Sequence, residues 1–122
     1  MTLRARVLTG AVLFAAVAAA GHESLARTPF DGNWSVLVVT ERGSCDRAYR
    51  YPVRIVDGRV LYAGEGSFTI SGGVSRNGTV RVSIRRGNQS AQGSGRLAVN
   101  SGRGTWTSPS NDCAGEWSAE RR

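Results

Sequence analysis

The chain contains no lysine, and its one histidine, His22, lies in an alanine-rich segment close to the N-terminus. Beyond that segment, the absence of histidine and lysine excludes the commonest general base, the Ser-His and Cys-His nucleophile systems and Schiff-base chemistry. The carboxylates that remain fall in turns or at outward strand positions: Asp31, Glu41, Asp46, Asp57, Glu65, Asp112, Glu116 and Glu120. We therefore expect a protein that is not an enzyme.

A helical period is also missing, since no stretch repeats at 3.6 residues over two turns. Apolar and polar residues instead alternate along most of the chain, which is typical of strands with one buried face. This pattern predicts strands at 34–41, 48–56, 59–63, 68–74, 79–85 and 90–99, and two more around Trp106 and Trp117. Eight short strands separated by turns predict an all-β barrel or sandwich.

The N-terminal residues 1–26 have the features of a secretory signal peptide. Arg4 and Arg6 precede an apolar run from Val7 to Ala20, and Ser24-Leu-Ala26 fits the small-x-small cleavage rule. Cleavage after Ala20 is the alternative. The run is shorter than the roughly 20 apolar residues that a spanning helix needs. We expect one domain, residues 27–122, in the periplasm or outside the cell, with no membrane span after cleavage.

The chain has only two cysteines, Cys45 and Cys113. An even number of cysteines in an exported chain predicts a disulfide. No histidine is available to complete a metal site with them, so we expect no metal.

All sixteen basic residues are arginines, and the formal net charge is +7. Such a charge favours anionic partners, for example an acidic glycan or an acidic protein. A soluble, self-repelling surface is the alternative explanation. The arginines are scattered rather than clustered, which makes nucleic acid an unlikely partner.

The turn lengths favour one connectivity. If the strands form an up-and-down meander closed between the first and the eighth, one end receives the tight turns at Asp57-Gly58, Asn77-Gly78 and 100–102. The other end receives the longer polar loops at 43–46, 64–66, 87–89 and 109–112. The same arrangement brings Cys45 and Cys113 together at the seam. The sequence therefore predicts an eight-stranded antiparallel up-and-down meander barrel.

All three tryptophans follow a glycine by two residues, at Gly32/Trp34, Gly104/Trp106 and Gly115/Trp117. Residues two apart on a strand share a face, so the glycine leaves room for an indole. We expect Trp34, Trp106 and Trp117 to be structural residues toward the tight end, outside any ligand site, and Trp106→Ala to lower the melting temperature sharply.

The Gly32-x-Trp34 motif at the start of a small meander resembles the calycin group, which includes lipocalins, avidins and some bacterial protease inhibitors. The whole domain is similar to small exported proteins of alphaproteobacteria, on the stretches Phe30–Trp34, Cys45–Arg50 and Trp117–Arg121. The calycin resemblance implies a barrel. Haem ligation would depend on Tyr49, Tyr51 or Tyr62, but inward tyrosines are more often core residues, so we expect no cofactor.

Two functions remain. The first is a binding module that holds a small apolar or amphipathic ligand at the open barrel end, because ligands enter the mouths of such barrels. The longer loops supply the candidate site residues Arg42, Arg47, Glu65, Arg86, Asn88, Gln89 and Asn111. The second is a surface-interaction protein, an inhibitor or adhesion factor, that contacts an acidic macromolecule through those loops or through the outward Arg50, Arg54, Arg81 and Arg85.

Overall fold

A computed structural model describes residues 27–122, and the predicted signal peptide lies outside the described residues. The chain forms strands β1 (Gly32–Arg42), β2 (Ala48–Val56), β3 (Arg59–Tyr62), β4 (Thr69–Val74), β5 (Thr79–Arg86), β6 (Gln89–Leu97), β7 (Ser101–Ser108) and β8 (Cys113–Arg121), with a short 3₁₀ turn at Pro109–Asn111. Among the described residues, no helix is long and apolar enough to cross a membrane.

Each strand pairs with the next in the chain, and β8 pairs back with β1, so the sheet is a closed barrel in meander order. All the pairings are antiparallel, and at the seam Trp34 lies opposite Arg121 and Val38 lies opposite Trp117. The predicted fold class is confirmed. Closure removes exposed sheet edges, since every strand has a hydrogen-bonded neighbour on both sides.

Several strand ends differ from the sequence prediction by one or two residues, and two of these differences change the connections around β6. The loop predicted at 87–89 is a two-residue turn, Gly87-Asn88, because Arg86 and Gln89 still pair across the β5–β6 ladder. The sixth strand ends at Leu97 rather than Val99, whose side chain is 64% exposed. The alternation of residue types continues to Val99, although the backbone leaves the β6–β7 ladder after Leu97.

The end of the barrel that carries the turns after β2, β4 and β6 is sealed by residues that precede β1; we call it the closed end. Phe30 and Trp34 are buried at this end, with Ile55, Val74, Val80 and Leu97 packed around them in the same core cluster. The Trp34 Nε1–H donates to the Phe30 carbonyl oxygen at 2.9 Å. The Phe30 side chain thus closes this end of the barrel just before the first strand, and we call it the plug.

Arg121 ties the last strand to this plug. Its guanidinium lies 4.8 Å from the Trp34 ring centroid and donates to the carbonyl oxygens of Asp31 and Pro29 at 2.8 and 2.7 Å. A third bond reaches the Val99 carbonyl at 3.0 Å. The planar guanidinium suits this role because it stacks on an aromatic face and donates in several directions at once.

The Asp31 carboxylate ties the plug to the β2–β3 turn. It accepts bonds from the backbone N–H groups of Asp57 at 2.7 Å and Gly58 at 3.1 Å, and from the Thr28 hydroxyl at 2.7 Å. Burial raises the pKa of Asp31, but these hydrogen bonds together outweigh it and hold the pKa below its ordinary value. The carboxylate is therefore stabilised in its ionised form.

At the opposite end, Cys45 and Cys113 form a disulfide with their Cα atoms 6.2 Å apart, which confirms the predicted bridge. The bond joins the β1–β2 loop to the first residue of β8 across the barrel seam. The covalent ring that it closes spans a sequence separation of 68 residues. The disulfide is compatible with an oxidising compartment.

Trp106 does not lie toward the tight end, so that part of the tryptophan prediction is wrong. It is two residues from the end of β7 and pairs with Gly115, which in turn pairs with Thr40 near the end of β1. The prediction placed it early in the strand, but β7 already starts at Ser101, so Trp106 lies in its second half. Trp34 lies at the closed end, and Trp117 lies at mid-height opposite Val38.

Candidate functional site

The interior of the barrel is hollow and contains a cavity of about 600 Å³. Inward residues from all eight strands line it, together with residues from three of the loops at the disulfide end: Ser44, Cys45, Asp46, Phe68 and Asn111. Toward the closed end its walls are formed by valine, isoleucine, leucine and tryptophan side chains, and its polar residues lie mostly toward the disulfide end. The side-chain period of two along each strand produces this lining.

Burial of the inward residues changes along the barrel axis. Trp34 and Ile55 are 1% and 3% exposed near the closed end. The inward positions toward the other end, including Tyr51, Tyr62 and Ile84, are only half-buried, and Tyr49 is 54% exposed. The cavity therefore opens at the disulfide end, which we call the mouth.

Two tryptophans that could have filled the interior lie along its wall. The Trp117 Nε1–H donates to the Ser94 carbonyl at 3.1 Å, and a Cβ added at Gly95 or Gly104 would lie 2.6 or 2.7 Å from the Trp117 ring. The two glycines thus let the indole pack directly against the backbone of β6 and β7. This explains the thin, glycine-rich sequence of β6, since glycine marks places where another group approaches closely.

Trp106 is held against the neighbouring part of the wall, formed by β8 and β1. Its Nε1–H donates to the Val39 carbonyl at 3.1 Å, beside the register shift between Thr40 and Arg42 in the β1–β8 ladder. The ring reaches β1 by passing its paired residue Gly115, which has no side chain. Both indoles are thereby anchored at their polar edge, and the centre of the barrel remains open.

Four aromatic rings form a cluster in the barrel wall close to the mouth. Ring centroids are separated by 4.8 Å for Tyr49–Tyr51, 5.7 Å for Tyr51–Phe68 and 4.7 Å for Tyr62–Phe68. The Arg86 guanidinium carbon lies 5.2 Å from the Phe68 centroid, within the range of a cation–π contact. An apolar, aromatic surface is therefore bordered by one positive charge at the mouth.

Burial raises the pKa of the Tyr51 hydroxyl, and Tyr49, Asp46 and Tyr62 raise it further, whereas Arg86 partly offsets them. Tyr51 therefore stays protonated at neutral pH and can donate a hydrogen bond into the cavity. Together with Asp46 and Arg86, it gives the mouth both donors and acceptors above an apolar interior.

The structure brings some of the predicted site residues to this cavity and leaves others outside it. Arg86, Gln89 and Asn111 line the cavity. Arg42 at the end of β1, Arg47 in the β1–β2 loop, Glu65 in the β3–β4 loop and Asn88 in the β5–β6 turn are at the same end but are exposed and do not line it. All three tryptophans contribute to the lining of the cavity, whereas we expected them to be structural residues outside any ligand site.

Sequence reasoning placed Tyr49, Tyr51 and Tyr62 on inward faces but assigned them to the core rather than to a site. It also left Phe68, Thr40 and Asp46 out of the candidate site, although all three line the cavity. Alternation alone could have found Phe68 and Thr40, because each continues the inward phase of its strand to the mouth. Asp46 lies in a loop, where no periodicity applies.

Within residues 27–122 there is no group of three or more His, Cys, Asp or Glu side chains that could hold a metal ion. The cavity has apolar walls and a polar rim at the mouth. No family model, no curated protein and no solved structure matches this chain.

Proposed function

We propose that this protein is a non-enzymatic binding module that holds a small amphipathic ligand inside the barrel, with the ligand's apolar part in the cavity and its polar part at the mouth. The hollow interior is the observation that carries this proposal. Its volume of about 600 Å³ lies within the ~300–1,000 Å³ of typical small-molecule sites.

The distribution of polarity along the cavity supports an amphipathic ligand rather than a purely apolar one. A ligand chain would contact Val36, Val38, Val53, Val82 and Trp117 deep in the barrel. Its head group would meet Arg86 and the tyrosine hydroxyls at the rim. Arg86 further favours an anionic head group, since a guanidinium binds a carboxylate with charge-assisted hydrogen bonds.

We also propose export to the periplasm or the cell exterior and a relationship to calycin-type barrels. The Cys45–Cys113 disulfide supports the first. The closed meander with Trp34 sealed at one end supports the second.

A cavity-filling variant tests the proposal directly. Ile70 lines the cavity, and its neighbour Thr69 is exposed on the outer face of the same strand. Ile70→Trp should weaken the binding of a dansyl-labelled fatty acid, measured by dansyl fluorescence, at least about tenfold, which corresponds to about 1.4 kcal/mol. Thr69→Trp, the matched control, should bind like the unmodified protein, and circular dichroism should show the β fold in both variants.

The head-group assignment has its own comparison. Arg86→Gln should weaken the binding of an unlabelled fatty acid more than that of the fatty alcohol with the same chain, both measured by displacement of the dansyl probe. Failure of the unmodified protein to take up either compound, or equal binding by Ile70→Trp, would refute the proposed function.

A further inference from the structure

Acidic and basic residues are distributed unevenly around the barrel. Residues 66–111 include no aspartate or glutamate but contain Arg76, Arg81, Arg85, Arg86, Arg96 and Arg103. This stretch covers β4 to β7, four strands that are neighbours in the sheet. The acidic residues that follow it are Asp112, just before β8, and Glu116 and Glu120 on β8. The last two lie diagonal to Arg103, which is opposite Ser118, so the β4–β7 side carries no carboxylate of its own and meets acidic residues only at its border with β8.

The outward residues of β4–β7 are short and polar apart from the arginines. Ser71, Ser83, Gln92 and Thr107 form one continuous row across the four strands, because each is paired with the next. The adjacent row contains Gly73, Arg81, Ser94 and Thr105. No aliphatic or aromatic side chain occupies an outward position in β4–β7. We call this surface the β4–β7 face.

A surface groove of about 440 Å³ lies on this face. Its polar lining includes Ser71, Arg81, Ser83, Gln92, Ser94 and Thr107. Hydroxyl and amide groups of this kind donate and accept hydrogen bonds without burying apolar area. A ligand seated here would therefore carry many hydroxyl groups together with negative charge.

Three arginines continue from the groove toward the closed end. Arg81 is paired with Ser94, so it is diagonal to Arg96, and Arg96 is directly opposite Arg103. Directly opposite residues have Cβ atoms about 4.5–5.5 Å apart, and like charges at that separation destabilise the strand pair. A bound anion between the two guanidinium groups would remove this repulsion.

We propose that the β4–β7 face binds an acidic polysaccharide, with its carboxylate or sulfate groups on Arg81, Arg96 and Arg103 and its hydroxyl groups in the groove. Arginine suits this role because its fork of donors matches such anions. The binding surface is on the outside of the wall and is separate from the internal cavity.

Other anionic partners fit this face less well. Proteins that bind single-stranded nucleic acid stack the bases on aromatic side chains. The aromatic residue that borders this groove, Trp106, is an inward residue that also lines the internal cavity. A protein interface has an apolar centre, and a surface that inserts into a membrane needs apolar side chains; the face provides neither.

The test is calorimetric titration of the protein with polygalacturonate, which carries carboxylates, with heparin, which carries sulfates, with neutral dextran and with oligothymidylate. We expect at least one of the acidic polysaccharides to bind and dextran not to bind. The affinity should fall as salt is added, because bound cations are released from the polyanion. The carboxylate and sulfate arms identify which anionic group the arginines accept.

Two double variants with equal loss of charge complete the test. Arg81→Gln with Arg103→Gln should weaken binding at least about tenfold, because charge-assisted hydrogen bonds are lost. Arg54→Gln with Arg122→Gln, at exposed positions near Asn33 on the other side of the barrel, should change it less than about twofold. Ile70→Trp should leave it unchanged, which separates this surface from the cavity.

Equal losses in the two double variants would overturn the proposal, since net charge alone would then explain binding. Binding of oligothymidylate at least as tight as that of both polysaccharides would overturn it in favour of a nucleic-acid surface. Absence of polysaccharide binding at low salt would overturn it as well.

Discussion

The two ends of the barrel consist of the same alternating strands, but different interactions complete them. At the closed end, Phe30, Trp34 and Arg121 seal the interior through packing, stacking and hydrogen bonds to backbone carbonyls. At the mouth, the Cys45–Cys113 disulfide holds the seam while the inward side chains remain partly exposed. Because the disulfide holds the strands together at the mouth, this end needs no packed side chains to close it and can stay open.

This difference predicts that the stability contributed by side-chain packing is concentrated at the closed end. Trp34→Ala should lower the free energy of unfolding by about 3–5 kcal/mol, the usual cost of removing a buried tryptophan. Trp106→Ala should cost clearly less, because Trp106 is only half-buried. Denaturant unfolding followed by circular dichroism measures both variants. Equal losses would mean that the two ends contribute alike.

The disulfide is the next largest contribution. In the chain-entropy model, a ring of nearly seventy residues stabilises a fold by about 4 kcal/mol. Cys45→Ser with Cys113→Ser should therefore lower the melting temperature sharply, and reductant should destabilise the unmodified protein but not the variant. If reductant has no effect and two free thiols are detected without it, the covalent closure of the mouth is refuted.

Arg121 tests whether stacking and carbonyl contacts seal the other end. Arg121→Lys keeps the positive charge but loses the fork of donors, so it should cost about 1–3 kcal/mol in unfolding free energy. Arg122→Lys is the matched control, because only the Arg122 backbone N–H is bonded, to the Asn33 carbonyl. A lysine at position 121 that is fully tolerated would show that charge alone is enough there.

Asp31 gives the smallest effect, and one that depends on pH. Its folded-state pKa lies below the ordinary value of 3.8. The unfolded chain therefore binds the proton more readily than the folded protein does. The ionised carboxylate stabilises the fold at pH values above its ordinary pKa. Asp31→Asn should cost about 1–2 kcal/mol at neutral pH. The difference from the unmodified protein should shrink as the pH falls through the folded-state pKa. Glu120→Gln controls for the lost charge; a constant difference at all pH values would contradict the assignment.

The sequence was sufficient for the strands, the meander and the disulfide, because alternation, turn residues and an even cysteine count each report local or covalent constraints. Arg121 shows where such reasoning stops. It continues the inward phase of β8 after Trp117 and Ala119, but an arginine at the end of a strand is normally solvated. Only the tertiary structure places Trp34 beneath it.

The cavity could not be predicted because hollowness depends on where large rings lie. Trp106 and Trp117 are inward residues in any reading of β7 and β8. Whether they fill the centre or lie along the wall depends on Gly95 and Gly104 across the ladder and on acceptors at Val39 and Ser94. Alternation gives the face of a residue and not the direction of its side chain along that face.

Solvent access to the three tryptophans tests the central claim, a hollow barrel sealed at one end and open at the other. Fluorotryptophan is incorporated, its fluorine resonances are assigned with single Trp→Phe variants, and their relaxation is measured with the neutral nitroxide TEMPOL. Relaxation enhancement should be largest for Trp106, smaller for Trp117 and negligible for Trp34, which is 1% exposed. Enhancement of Trp34 equal to that of Trp106, or equal protection of all three, would contradict the account.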